Sequence, residues 1–166
     1  MRTESRDAEF RSFYLGQAGQ IRQLALFLTG DVGVADDLAQ EALLRAYRHW
    51  HRIRRDNPGP YVRRIVVNLH RNRIRRAIVE RRHPQPAPES SRERTPEVDE
   101  ALRVSRALRN LSSVRRAAVV LRYYEDLSDA EIARVLDRPI GTIKSDLHRA
   151  LRQLKPLLED DIWETT

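Results

Sequence analysis

The residues best placed to do chemistry lie near the C-terminus, where positions 137–152 read DRPIGTIKSDLHRALR. Ile143, Leu147, Leu151 and Leu154 recur at helical spacing and predict one buried side. Lys144, Ser145, His148, Arg149 and Arg152 then point outward, with Arg138 and Thr142 at the start of the same segment. Side chains of these types bind phosphate oxygens and the hydrogen-bonding edges of bases. Asp146 interrupts the face. An acid there accepts a hydrogen bond from cytosine N4, or pairs along the helix with Arg138 or Arg149; the second role is favoured, because exposed helical charges more often serve their neighbours.

A second cluster spans residues 60–76, PYVRRIVVNLHRNRIRR. Between 63 and 82 there are eight arginines and a single acid, Glu80, so the segment is strongly cationic. Helical spacing sets Arg64, Asn68, Arg71 and Arg75 in one stripe that would track a phosphate backbone, while the Asn68 amide offers a donor and an acceptor to an exposed base. The Tyr61 ring would stack on an exposed base or pack half-buried; both readings stand.

A third candidate is the face carrying Asp37, Gln40, Glu41, Leu44 and Arg48, opposite Leu38, Ala42 and Ala46. Leu44 is an apolar residue among polar ones, as a protein-binding surface would have, and equally as a solvated face with one stray leucine would. Asp36, Asp37 and Glu41 would hold a metal only if other ligands converged on them. No histidine or glycine loop joins them, and a solvated helix N-terminus, where acids complement the helix dipole, accounts for them better than a nuclease centre.

These groups need helices to carry them. The first unit, 8–80, is expected to hold three. Phe10, Phe13, Tyr14, Ile21, Leu24, Ala25 and Leu28 share one face, with Thr29-Gly30 as the stop; a helix over 35–51 turns Leu38, Ala42, Leu43, Ala46, Tyr47 and Trp50 inward; a third from Pro60 buries Val62, Ile65, Val66 and Leu69. The second unit, 97–158, opens with Thr95-Pro96 as cap and first-turn proline and buries Val98, Ala101, Leu102, Ser105 and Leu108. A helix after Ser112-Ser113 buries Val114, Ala117, Ala118 and Leu121. Ser128 and Glu131 form a capping box ahead of Ile132, Ala133 and Leu136, and Thr142 caps the final helix. Between the units, 81–96 is a linker within a stretch that holds four of the chain's eight prolines. The acidic tail, with Trp163, folds over the second unit or frays. The fold class expected is all-α, two small helical bundles on a proline-rich tether.

The chain carries a formal charge of +7 and a pI near 10.5, which favours a polyanion through counterion release. With no cysteine and five scattered histidines, disulfides, thiol chemistry and a zinc site drop out, and neither cofactor nor metal is expected. The N-terminal text lacks a signal peptide's apolar core and no run is long enough to span a membrane, so the expected location is the cytoplasm.

A short helix, a turn and a second basic helix make a helix-turn-helix, and LSDAEIARVLDRPIGTIKSDLHRAL resembles region four of the bacterial extracytoplasmic-function sigma factors. Asp137 stands where that family has glycine, and Asp146 where it has arginine. ADDLAQEALLRAYRHW, residues 35–50, is similar to region 2.2, which implies that Asp37, Gln40, Glu41, Leu44 and Arg48 bind the clamp coiled coil of the largest subunit of core RNA polymerase. Residues 60–76 resemble regions 2.3 and 2.4, which implies reading and opening of the downstream promoter element, with Tyr61 at a usual tryptophan and Asn72 at a frequent aspartate. The text VRRIVVNL looks closest to actinobacterial sigma-E-like members. The resemblance implies a non-enzymatic initiation factor whose partners are core polymerase, promoter DNA and, as in many members, an anti-sigma factor. The competing reading is a stand-alone helix-turn-helix regulator with an N-terminal sensor or dimerisation bundle.

Overall fold

In the computed structural model the described residues are 2–80 and 95–163, with side chains over 4–79 and 95–157. They form eight helices in two compact units. The linker reading falls mainly on 81–94, outside the described residues; positions 96 and 97 already belong to a helix.

Unit one holds α1 (Arg2–Thr29), α2 (Val32–Arg48), α3 (Trp50–Ile53) and α4 (Pro58–Glu80). The chain enters and leaves these helices where its sequence supplies the caps. Gly30 ends α1 at φ 68°, where a residue without Cβ adopts a left-handed backbone freely, and its N–H returns to the Leu26 carbonyl at 2.8 Å. Asp31 then starts α2, its carboxylate accepting from the Val34 N–H at 2.8 Å. That cap begins the helix at Val32, earlier than the expected 35, and the Trp50 turn is a separate short helix.

α1 packs on both α2 and α4, and α2 on α4, around Leu24, Leu28, Ala42, Val62 and Val66. Three expectations shift. Tyr14 is 46% exposed and outside the core; Ile65 and Leu69 are half-buried, their places taken by Val67 and His70; Tyr47 is half-buried, with its hydroxyl bound to Asp7 at 2.8 Å. The α4 shift reflects packing on two neighbours, α1 and α2, which turns a wider arc inward than one apolar stripe predicts. At the start of α1, Phe10 packs edge-on to Trp50 with ring centroids 5.1 Å apart, and Arg6 lies over the Tyr47 ring.

Unit two holds α5 (Pro96–Leu108), α6 (Ser113–Tyr123), α7 (Asp129–Leu136) and α8 (Ile140–Trp163). α6, α7 and α8 pack against one another and α5 lies on α8. Its core is Leu121, Ile132, Leu136, Ile143 and Ala150, with Leu102 and Val114 only half-buried. Thr95 caps α5 as expected, and Ser112 caps α6, which starts at Ser113. Leu151 is 42% exposed; Ala150, one residue earlier, faces inward instead. α8 continues through Pro156 to Trp163, so the backbone of the acidic tail extends the helix, while the Trp163 side chain lies outside the described residues.

Candidate nucleic-acid interfaces

The C-terminal site is built by the α7–α8 corner. Ser128 and Glu131 close a reciprocal capping box: the Glu131 N–H donates to Ser128 Oγ at 3.3 Å and the Ser128 N–H to Glu131 Oε2 at 2.8 Å. The bond from the Ser128 backbone holds the Glu131 carboxyl below its usual range. α7 ends at Asp137, which takes the left-handed conformation (φ 53°, ψ 56°), and the Arg138 N–H reaches back to the Ala133 carbonyl at 2.9 Å. This is the position where glycine is easier, and aspartate fills it at some conformational cost.

Thr142 does not cap α8. The helix starts at Ile140, with the Pro139 carbonyl already accepting from the Ile143 N–H at 3.1 Å. Proline fixes a φ suited to a helix start, and first-turn N–H groups lack intrahelical acceptors anyway, so Gly141 and Thr142 fit inside the first turn. Lys144, Ser145, His148, Arg149 and Arg152 are all exposed, as their spacing predicts. Thr142 is half-buried, and the Ser145 hydroxyl donates to the Gly141 carbonyl at 3.1 Å, which leaves its lone pairs outward.

Asp146 belongs to the flank of this helix, with its side chain 13% exposed. Its Oδ1 lies 3.4 Å from Arg115 Nε on α6 and its Oδ2 4.0 Å from Arg138 Nη1. Arg138 is one of the two expected partners. Arg149 is not among the ion pairs of Asp146; Arg115, 31 residues earlier, stands in its place. Only the folded packing of α6 on α8 brings that residue near, so sequence spacing gave no signal for it.

On unit one, α4 presents Tyr61, Arg64, Asn68, Asn72 and Arg75 on its outer side, all exposed. The steps of three, four, four and three residues keep them in line. Arg71 is half-buried at the edge of the row, and Asn72, which stands outside the expected stripe, lies in it. Tyr61 is 40% exposed, so part of its ring is accessible while the rest is covered.

On α2, Asp37, Gln40, Leu44 and Arg48 are exposed, Leu44 at 45%, while Glu41 is tied to Arg45 at 2.6 Å. Leu44 borders an apolar groove of about 630 Å³ between α1 and α2, lined also by Tyr14, Ala18, Gly19 and Leu43. Asp36 and Asp37 lie in the second turn, since α2 starts at Val32, so the helix N-terminus does not account for them; Asp36 is ion-paired with Arg22 on α1.

Known proteins carry the same two units. Residues 14–78 match the family described as Sigma-70 region 2 and residues 101–154 that described as Sigma-70, region 4. The "ECF RNA polymerase sigma factor SigL" of Mycobacterium tuberculosis is 35% identical over 164 residues, covering 92% of this chain and 90% of its own length. This chain belongs to the extracytoplasmic-function sigma factors. As a sigma factor it directs promoter-specific transcription. The "RNA polymerase sigma-E factor" of Streptomyces avermitilis is 33% identical over 91% of this chain and 86% of its own, in keeping with the sigma-E-like text noted in α4. Among solved structures, the sigma factor RpoE of Bartonella quintana, crystallised with the anti-sigma factor NepR, superposes with a TM-score of 0.73 at 25% identity, over 90% of this chain and 96% of its own. With unit one matching region 2, the sensor or dimerisation bundle of a stand-alone regulator is set aside. Among the described residues of this sigma factor, no helix is long and apolar enough to cross a membrane.

Proposed function

We propose that this sigma factor divides promoter work between its two units: residues 8–80 bind core RNA polymerase and open the downstream element, residues 97–158 hold the upstream element, and 81–96 tether them. The observation that carries the reading is the exposed α4 row, Tyr61, Arg64, Asn68, Asn72 and Arg75, set on a helix whose other side is core.

Opening a duplex costs a few kcal/mol for each base unstacked, on the order of 2–4 for one flipped base. The protein must therefore bind the opened strand better than the paired one. Arg64 and Arg75 follow the phosphates, the Tyr61 ring stacks on an unpaired base, and the Asn68 amide bonds to a base edge that is covered in the duplex. Arg71 adds charge at the rim. At the upstream element α8 enters the major groove, with Lys144, Ser145, His148 and Arg149 outward and Thr142 at its entry, while Arg138, expected from its place in the sequence to reach the DNA, is turned to Asp146 instead.

Asp37, Gln40, Glu41, Leu44 and Arg48 on α2 meet the coiled coil of the polymerase clamp, with Leu44 the apolar anchor. The chain performs no covalent step; the polymerase does the synthesis. Its place of work is the cytoplasm, where core enzyme and promoters meet. An anti-sigma partner of the class seen with the Bartonella protein would silence it by covering the α4 row or the α8 face. The test is permanganate footprinting of a promoter with reconstituted holoenzyme. The wild-type chain is expected to give reactive thymines, and Arg64→Ala/Asn68→Ala/Arg75→Ala to lose them while still co-purifying with core. Equal reactivity for the two chains overturns the assignment of α4.

A further inference from the structure

The acid on the promoter-facing helix has a specific set of neighbours. Asp146 sits between two arginines from different elements, Arg115 of α6 and Arg138 of the α7–α8 turn, at 3.4 and 4.0 Å. Arg115 also donates from Nη1 to Gln153 Oε1 at 3.2 Å, so one guanidinium grips α8 at two points seven residues, or two turns, apart. A planar group held at two such points fixes both the rotation and the tilt of the helix it grips. All three charged side chains are partly shielded, at 25% exposure for Arg115, 38% for Arg138 and 13% for Asp146, which makes the contacts stronger than those of a fully solvated pair.

From this geometry we propose that Asp146 is a positioning and specificity-determining residue: it acts as an internal counter-ion that keeps Arg115 and Arg138 off the phosphates and sets the angle at which α8 meets the base edges. The proposal rests on the assignment of α8 to duplex promoter DNA. Two cations free to swing onto any duplex would add binding that carries no sequence information. Neutralised against Asp146, they leave Lys144, His148 and Arg149, which point outward, to decide where the unit binds.

The test uses the full chain in reconstituted holoenzyme and two duplexes, a promoter selected by wild-type holoenzyme from a random library and its scrambled counterpart, with affinity followed against salt. Asp146→Asn, nearly isosteric, is expected to tighten binding to the scrambled duplex and lower the promoter-to-scrambled ratio by about threefold to tenfold. It also steepens the slope of log affinity against log salt by about 1 to 2, as one or two further phosphates are neutralised. Adding Arg115→Gln to Asp146→Asn returns about 1 unit of that slope. Asp146→Glu, which keeps the charge, restores the ratio at least in part. A merely structural acid would lower both affinities together and leave the slope alone. Unchanged slope and ratio in Asp146→Asn, or loss of both affinities at constant slope, overturn the proposal. Failure of wild-type holoenzyme to select any promoter would instead overturn the assignment of α8 itself.

Discussion

Arg54 Nη1 lies 2.9 and 2.8 Å from the two carboxylate oxygens of Glu9, joining the end of α3 to the first turns of α1 across 45 residues of sequence. The bond from Arg54 is the main cause holding the Glu9 carboxyl below its usual value of 4.5. A folded-state value below the unfolded one gives stability that is present above about pH 4.5 and disappears as pH falls through the folded value. Glu9→Gln is therefore expected to lower the Tm of unit one slightly at pH 7, with the deficit shrinking at pH 3, below the usual carboxylate value. Thermal melts at the two pH values check it, and an equal deficit at both would contradict it.

Asp137 carries the left-handed turn between α7 and α8 without the freedom of glycine. Asp137→Gly should stabilise unit two by about 0.5–1 kcal/mol, since the backbone strain goes while no side-chain bond of Asp137 is needed for the turn. Ser128→Ala, which removes the capping hydroxyl at the other end of α7, should cost about 1 kcal/mol. Urea denaturation of both variants gives the two signs.

Leu43 and Leu44 are adjacent and opposite in consequence, one 7% exposed and the other 45%. Leu44→Asp should leave the melt unchanged and weaken co-purification with core polymerase at least tenfold, the loss expected of a central apolar anchor. Leu43→Asp should unfold unit one, because it places an unpaired charge in the core. A Leu44→Asp chain that still binds core at wild-type strength would remove α2 as the docking face.

Trp50 closes the aromatic cluster at the base of α1, with Phe10 and Phe13 each 5.1 Å from its ring. Trp50→Ala should cost about 3–5 kcal/mol of unit-one stability. Calorimetry should show the transition of unit two unmoved, because the two units have separate cores.

What the sequence disclosed and what it withheld divide along a physical line. The helices and the capping box were legible because each depends on residues a few positions apart, and local chemistry decides them. Tyr14 and Leu151 were assigned to the core because apolar residues at helical spacing look alike until a neighbouring helix is present or absent. Thr142 does not cap the last helix because the chain is already helical from Ile140, just after Pro139, and apolar periodicity does not place a first turn. The Asp146 partner in α6 and the Glu9–Arg54 pair were out of reach, since both join elements distant in sequence. The exposed faces of α4 and α8 were readable for the opposite reason: an amphipathic pattern that names the buried side also names the side left to face a partner.

Run-off transcription from a promoter library with core RNA polymerase, with and without the purified chain, shows whether this chain selects promoters for the polymerase it accompanies. A defined set of start sites should appear only when the chain is present, and vanish with the Arg64→Ala/Asn68→Ala/Arg75→Ala variant. Start sites identical in number and position with and without the chain would contradict that selection.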